Sequence, residues 1–226
     1  RLLGASRDPE GHQVLVTEFA SMGSLDNVLM DLVEDGRSAS DLVLMKCAIQ
    51  VCEGMLQLVE EDLIHRDLAL RNVLVFGFSP DNPRAVRLKI TDYGLTREGL
   101  CYYGGSDAFP VRWMPPEALQ RRRWSEKSDV WAFGVLMWEL WSAAKVPYAF
   151  VVSDEEVVHL VCGGRRLEQP EGCPDRVFAL IQRCWEEQAA RRPSFKDLKD
   201  ELLDLHAELQ NLYGRDRECV VCCDAA

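Results

Sequence analysis

Apolar positions along this chain follow two periods. Val14 to Phe19 is short, apolar and rich in β-branched residues, which predicts a strand. Gly23-Ser24 follows, with Ser24 placed to cap a helix over 25–33. After the loop Asp35-Gly36-Arg37-Ser38, Leu42, Met45, Ile49, Cys52, Leu56 and Val59 recur at spacings of three and four. That stripe predicts one long helix over 41–61. Residues 73–76 and 86–91 read as two strands, and the turn Ser79-Pro80-Asp81-Asn82-Pro83 makes them a hairpin. From 95 to 116 no period survives, and Gly104-Gly105 and the prolines break the segment up. A loop of that length is functional or disordered. The stretch 127–142 is apolar on nearly every side, so it predicts a buried helix at the centre of a helical lobe. Helices near 154–161, 175–184 and 194–212 complete an α+β chain without internal repeats.

Composition narrows the class. With 226 residues and 47% hydrophobic content the chain can bury a core. A net charge of −11 argues against nucleic acid as the main partner, because phosphate binding needs clustered Lys and Arg. Of nine cysteines, Cys47, Cys52, Cys101, Cys162, Cys173 and Cys184 are scattered, mostly in apolar helical patterns. They read as reduced cysteines of a cytoplasmic protein, or of the intracellular part of a membrane receptor, and not as a disulfide framework. Cys219, Cys222 and Cys223 cluster at the end. No signal peptide opens the chain, and no apolar run is read as a membrane segment. Arg1-Leu2-Leu3-Gly4 reads as the middle of an element, so the chain is expected to be part of something longer.

The chemistry concentrates in His65-Arg66-Asp67-Leu68-Ala69-Leu70-Arg71-Asn72. Aspartate can accept a proton from a hydroxyl, an asparagine oxygen is a hard ligand suited to Mg²⁺, and arginine can fork onto anionic oxygens. Asp67 and Asn72 flank the entry to the hairpin, and Asp92 of Asp92-Tyr93-Gly94 lies at its exit. A hairpin brings those ends together. Two hard oxygen ligands side by side suit Mg²⁺ bound to a nucleotide.

The eight-residue stretch resembles the H-R-D-x-x-x-x-N catalytic loop of protein kinases, and Ala69 with Arg71 resembles its tyrosine kinase form. The resemblance implies that Asp67 orients the substrate hydroxyl and takes its proton, with Arg71 seating the phenol. Asn72 and Asp92 are implied to hold Mg²⁺ against ATP. Tyr93 stands where the family has Phe, and its hydroxyl needs a partner if buried. Phe109-Pro110-Val111-Arg112-Trp113-Met114 resembles the segment on which the tyrosine of a protein substrate docks. Glu117 is implied to pair with Arg192, and Asp129 to receive backbone N–H groups of the catalytic loop. Val16 to Ala20 resembles the hinge, with Glu18 and Ala20 meeting adenine, Thr17 as gatekeeper and Leu74 as the pocket floor. Tyr102 and Tyr103 sit where phosphorylation orders the loop by pairing with Arg66. His65 reads as a packed structural histidine.

The resemblance spans about 1–212. It divides the chain into small-lobe strands and hinge (1–20), a large lobe (21–213) and a tail (214–226). No G-x-G-x-x-G loop or V-A-I-K lysine occurs among these residues, so these residues alone are expected to have little activity. In the tail, Cys219 and Cys222 resemble the first knuckle of a RING-type zinc finger, which would supply half of a Zn²⁺ site; unliganded cysteines are the alternative. The implied function is phosphoryl transfer from ATP to a protein tyrosine. The alternative is a pseudokinase or scaffold, such as a regulatory module of a RING-containing ubiquitin ligase.

Overall fold

The computed structural model describes residues 2–104 and 109–223, with side chains through residue 213. Arg1 and Gly105 lie outside the described residues. Strands β1 (Leu2–Arg7) and β2 (Gln13–Thr17) form an antiparallel hairpin. The strand read at Val14 thus starts one residue earlier and ends at Thr17, and its partner is the opening segment. Helices α1 (Leu25–Glu34) and α2 (Asp41–Glu60) follow. Ser24 occupies the N-cap of α1, but its hydroxyl donates to the Asp26 carboxylate and caps no backbone N–H.

Helix α2 carries more than one stripe. Met45, Ile49 and Cys52 are buried as the spacing predicts, and so are Val43, Leu44, Cys47, Ala48, Val51 and Met55. The reason is tertiary: α2 is packed between α7 (Phe195–Cys223) on one side and β5 (Arg87–Ile90) and α4 (Glu126–Trp141) on others. By length and composition alone α2 is apolar enough to cross a membrane, which corrects the sequence-based count; half of that apolar window is buried inside the fold.

Helix α4 is the central pillar. Val130, Trp131, Phe133, Val135, Leu136, Met137 and Leu140 are all at most 2% exposed. Ser125 and Ser128 form a reciprocal capping box at its start. Gly134 lets α6 (Asp175–Cys184) approach, since a Cβ there would lie 2.7 Å from the Cys184 Cβ. Helix α5 (Asp154–Cys162) packs beside the short α3 (Pro116–Arg121), a helix that the prolines had hidden in the sequence pattern.

The aperiodic segment 95–116 is pinned twice. β3 (Leu63–Ile64) pairs with β6 (Arg97–Glu98), and β7 (Tyr102–Tyr103) pairs with β8 (Arg123–Trp124). Two-residue strands are too short to leave a period in the sequence. The hairpin of β4 (Val73–Gly77) and β5, in register Val73 to Ile90, packs against α2.

Candidate active site

Residues 65–72 connect β3 to β4, and a buried carboxylate sets their path. Asp129 of α4 accepts the His65 N–H at 2.8 Å on one oxygen and the Arg66 N–H at 2.9 Å on the other. Arg66 sits at φ 72°, a conformation disfavoured for a side chain of its size, and the two charge-assisted bonds hold it there. Burial pushes the Asp129 carboxyl up to about 7, against the pull of those two N–H groups.

His65 joins this loop to the exit of β5. Its Nε2 lies 3.1 Å from the Thr91 carbonyl, which can only accept, and its Nδ1 lies 3.2 Å from the Asp67 N–H, which can only donate. The ring is therefore the neutral Nε2–H tautomer. Burial lowers its pKa further. The Tyr93 ring meets it edge-on at 5.7 Å, and the Tyr93 hydroxyl donates to the Ile90 carbonyl at 3.1 Å. Tyr93 is itself exposed, so the burial that would oblige its hydroxyl to find a partner does not arise.

The hairpin register does the rest. Thr91 N–H donates to the Asn72 carbonyl at 2.9 Å, so Asp92 follows directly beside Asn72. The Asn72 amide nitrogen donates to the Asp67 carbonyl at 2.7 Å, which leaves its side-chain oxygen as the group to offer a ligand. Asp92 adopts a left-handed conformation (φ 61°) and accepts the Gly94 N–H at 3.3 Å. Two hard oxygen donors on one hairpin end suit a divalent cation.

Arg71 forms an ion pair with Asp67. Its guanidinium also stacks 4.4 Å from the centre of the Trp113 ring. Trp113 belongs to the segment 109–114, so the acidic residue, the arginine and that segment form one contiguous surface.

A family model described as protein tyrosine and serine/threonine kinase matches residues 1–202. The chain belongs to the protein kinase family. It is 43% identical over 192 residues to the megakaryocyte-associated tyrosine-protein kinase of Mus musculus, covering 83% of this chain and 35% of that protein. It is 36% identical over 210 residues to the tyrosine-protein kinase transmembrane receptor Ror of Drosophila melanogaster, covering 91% and 29%. It is also 39% identical over 214 residues to the inactive tyrosine-protein kinase 7 of Gallus gallus, covering 92% and 20%. The chain thus spans about a third or less of the length of these relatives.

Other residues of the kinase chain divide by place. Arg192 forks onto both oxygens of Glu117 at 2.7 and 2.9 Å. The Arg66 guanidinium is enclosed by the rings of Tyr102 (4.6 Å), Trp124 (4.8 Å) and Phe109 (5.3 Å), and donates to the Leu95 carbonyl. In this state the site expected to receive a phosphotyrosine is filled by aromatic rings, and Tyr103 points outward at 65% exposure. Thr17, Glu18 and Leu74 line an open cavity of about 1250 Å³ between β1–β2, α2 and β4–β5, together with Thr91 and Tyr93. Asp67, Asn72 and Asp92 are not among its walls. The Glu18 side chain pairs with Lys89 at 2.6 Å, and Ala20 is buried.

Helical backbone runs through Cys219 and Cys222 to Cys223, where the sequence suggested the turn of a zinc knuckle; their side chains lie outside the described residues. Glu139 is the partner that the motifs did not single out. The Glu139 carboxylate, 5% exposed, accepts from the Trp113 indole at 2.9 Å and from the Leu70 N–H at 3.3 Å. One signal was present: a carboxylate inside a helix apolar on every side must have partners.

Proposed function

We propose that this kinase transfers the γ-phosphoryl of ATP to a tyrosine hydroxyl of a protein. The observation that supports the reading is the contact chain Asp67–Arg71–Trp113, in which a carboxylate and a cation lie against the segment 109–114. The acceptor hydroxyl oxygen attacks the γ-phosphorus, the bond to ADP breaks, and the hydroxyl proton passes to Asp67. Arg71 orients that carboxylate and, held on the Trp113 ring, would seat the substrate phenol. Asn72 and Asp92 would hold Mg²⁺, which neutralises phosphate charge when bound. Thr17, Glu18, Ala20 and Leu74 would border the adenine. A cytoplasmic location, or the intracellular side of a receptor, fits this chemistry because ATP is supplied there.

Asp67→Asn in the full-length protein keeps the side-chain shape and removes the base. Phosphotyrosine formation on a peptide substrate should drop by ~10²–10⁴-fold, with nucleotide binding retained. Undiminished output from this variant would sink the assignment. A second reading, a kinase fold without catalysis, is favoured by the relative named as inactive. A wild-type protein that transfers no phosphate under any nucleotide and metal condition would establish it.

A further inference from the structure

We propose that Glu139 is a positioning residue that locks the docking segment to the catalytic loop. The inference rests on the reading of 65–72 and 109–114 as the two halves of a peptide-phosphorylating site. Three elements meet at one carboxylate oxygen. Glu139 is on α4, Trp113 is in the docking segment, and Leu70 is in the catalytic loop next to Arg71. The same oxygen, Oε2, accepts both the indole N–H and the Leu70 N–H. Trp113 then supports the Arg71 guanidinium on its ring, and Arg71 pairs with Asp67. A charge buried in the most apolar helix of the fold disfavours burial by several kcal/mol unless it has partners. Packing does not call for it there, since from Val130 to Trp141 the other buried residues of α4 are all apolar. Its partners lie on the two segments whose relative placement decides whether an acceptor hydroxyl reaches Asp67. Misplacement of reacting groups by about 1 Å can cost about 10²-fold in rate.

The shared oxygen makes the test selective. Glu139→Gln keeps an acceptor oxygen within reach of both donors; Glu139→Met keeps the volume and removes the acceptor. Trp113→Phe keeps a ring for Arg71 and removes the indole N–H. In the full-length protein, Glu139→Met should lower kcat/KM for a tyrosine peptide by about 10- to 100-fold while the dissociation constant for the nucleotide is unchanged. Glu139→Gln should recover most of that loss. Adding Trp113→Phe to Glu139→Met should cost little more, because both cut the same bond. Equal damage from Met and Gln, or loss of nucleotide affinity in step with peptide turnover, would overturn the inference. A readout free of turnover separates it from the kinase reading. The Trp113 indole N–H, identified by its loss in Trp113→Phe, should exchange with solvent about tenfold faster or more in Glu139→Met and at the wild-type rate in Glu139→Gln. If the wild type transfers no phosphate, the proposed function fails and this exchange result still decides the placement of Glu139. Unchanged exchange in Glu139→Met would refute it.

Discussion

Replacing Arg192 by Met tests how the helical lobe is held together. The arginine side chain is fully buried and makes five hydrogen bonds to four groups. It forks onto Glu117, and also donates to the carbonyls of Glu186 (2.8 Å), Lys127 (2.9 Å) and Glu187 (3.3 Å), while its face lies 5.0 Å from the Trp131 ring centre. Methionine fills much of the volume but leaves the Glu117 carboxylate, 16% exposed, without its cation. Removing one partner of a buried pair costs about 3–5 kcal/mol. For a domain of this size that corresponds to roughly 6–20 °C in Tm. It is a large share of a total stability of about 5–15 kcal/mol. Thermal and urea unfolding of Arg192→Met would measure it. Arg192→Lys should recover only part, since an ammonium has three donors and no fork. Adding Glu117→Leu to Arg192→Met should restore part of the loss by removing the orphaned charge. A loss below about 1 kcal/mol for Arg192→Met would put the pair among surface bridges and refute the reasoning.

Gly134→Ala would raise helix propensity by about 1 kcal/mol, yet should destabilise by about 1–3 kcal/mol, because the new Cβ meets Cys184 at 2.7 Å; a stabilised variant in urea unfolding would contradict the close packing of α4 and α6. Burial pushes the Glu139 carboxyl up to about 7. A raised carboxyl pKa means that the folded state binds the proton more tightly than the unfolded one, so this contribution is present at low pH and is lost as pH rises towards 7. The stability difference between wild type and Glu139→Gln should therefore fall by up to about 1.4 kcal/mol per pH unit between pH 5 and 7. Taking the difference cancels the opposite contribution of His65, whose lowered pKa makes the folded state lose its proton first. A flat difference would show that Glu139 is not buried as described. Tyr93→Phe removes a half-exposed hydroxyl bonded to Ile90 and should cost no more than about 1 kcal/mol, with the His65 ring contact kept; a larger drop in chemical denaturation would mean that the hydroxyl anchors the 92–95 turn.

Local pattern determined much of this protein. The period of 127–142 required a helix buried on all sides, and α4 spans Glu126–Trp141. Two apolar runs around a proline-rich turn required the β4–β5 hairpin, and its observed register brings residue 72 opposite residue 91. The spacing of Asp67, Arg71 and Asn72 within eight residues already implied a compact polar cluster. Tertiary structure decided what the pattern could not hold. The two-residue strand β6 exists only because β3 presents an edge to it, and β7 and β8 only because each pairs with the other. The second buried face of α2 follows from where α7 and β5 pack. Arg66, readable as an open cation, is enclosed by three rings that arrive from residues 102, 109 and 124. Glu139 is 69 residues from Leu70 and 26 from Trp113, so no local period could link them. A carboxylate in an apolar helix announces a partner, but only the packed chain says which one, because the partner is chosen by distance in space and not along the sequence.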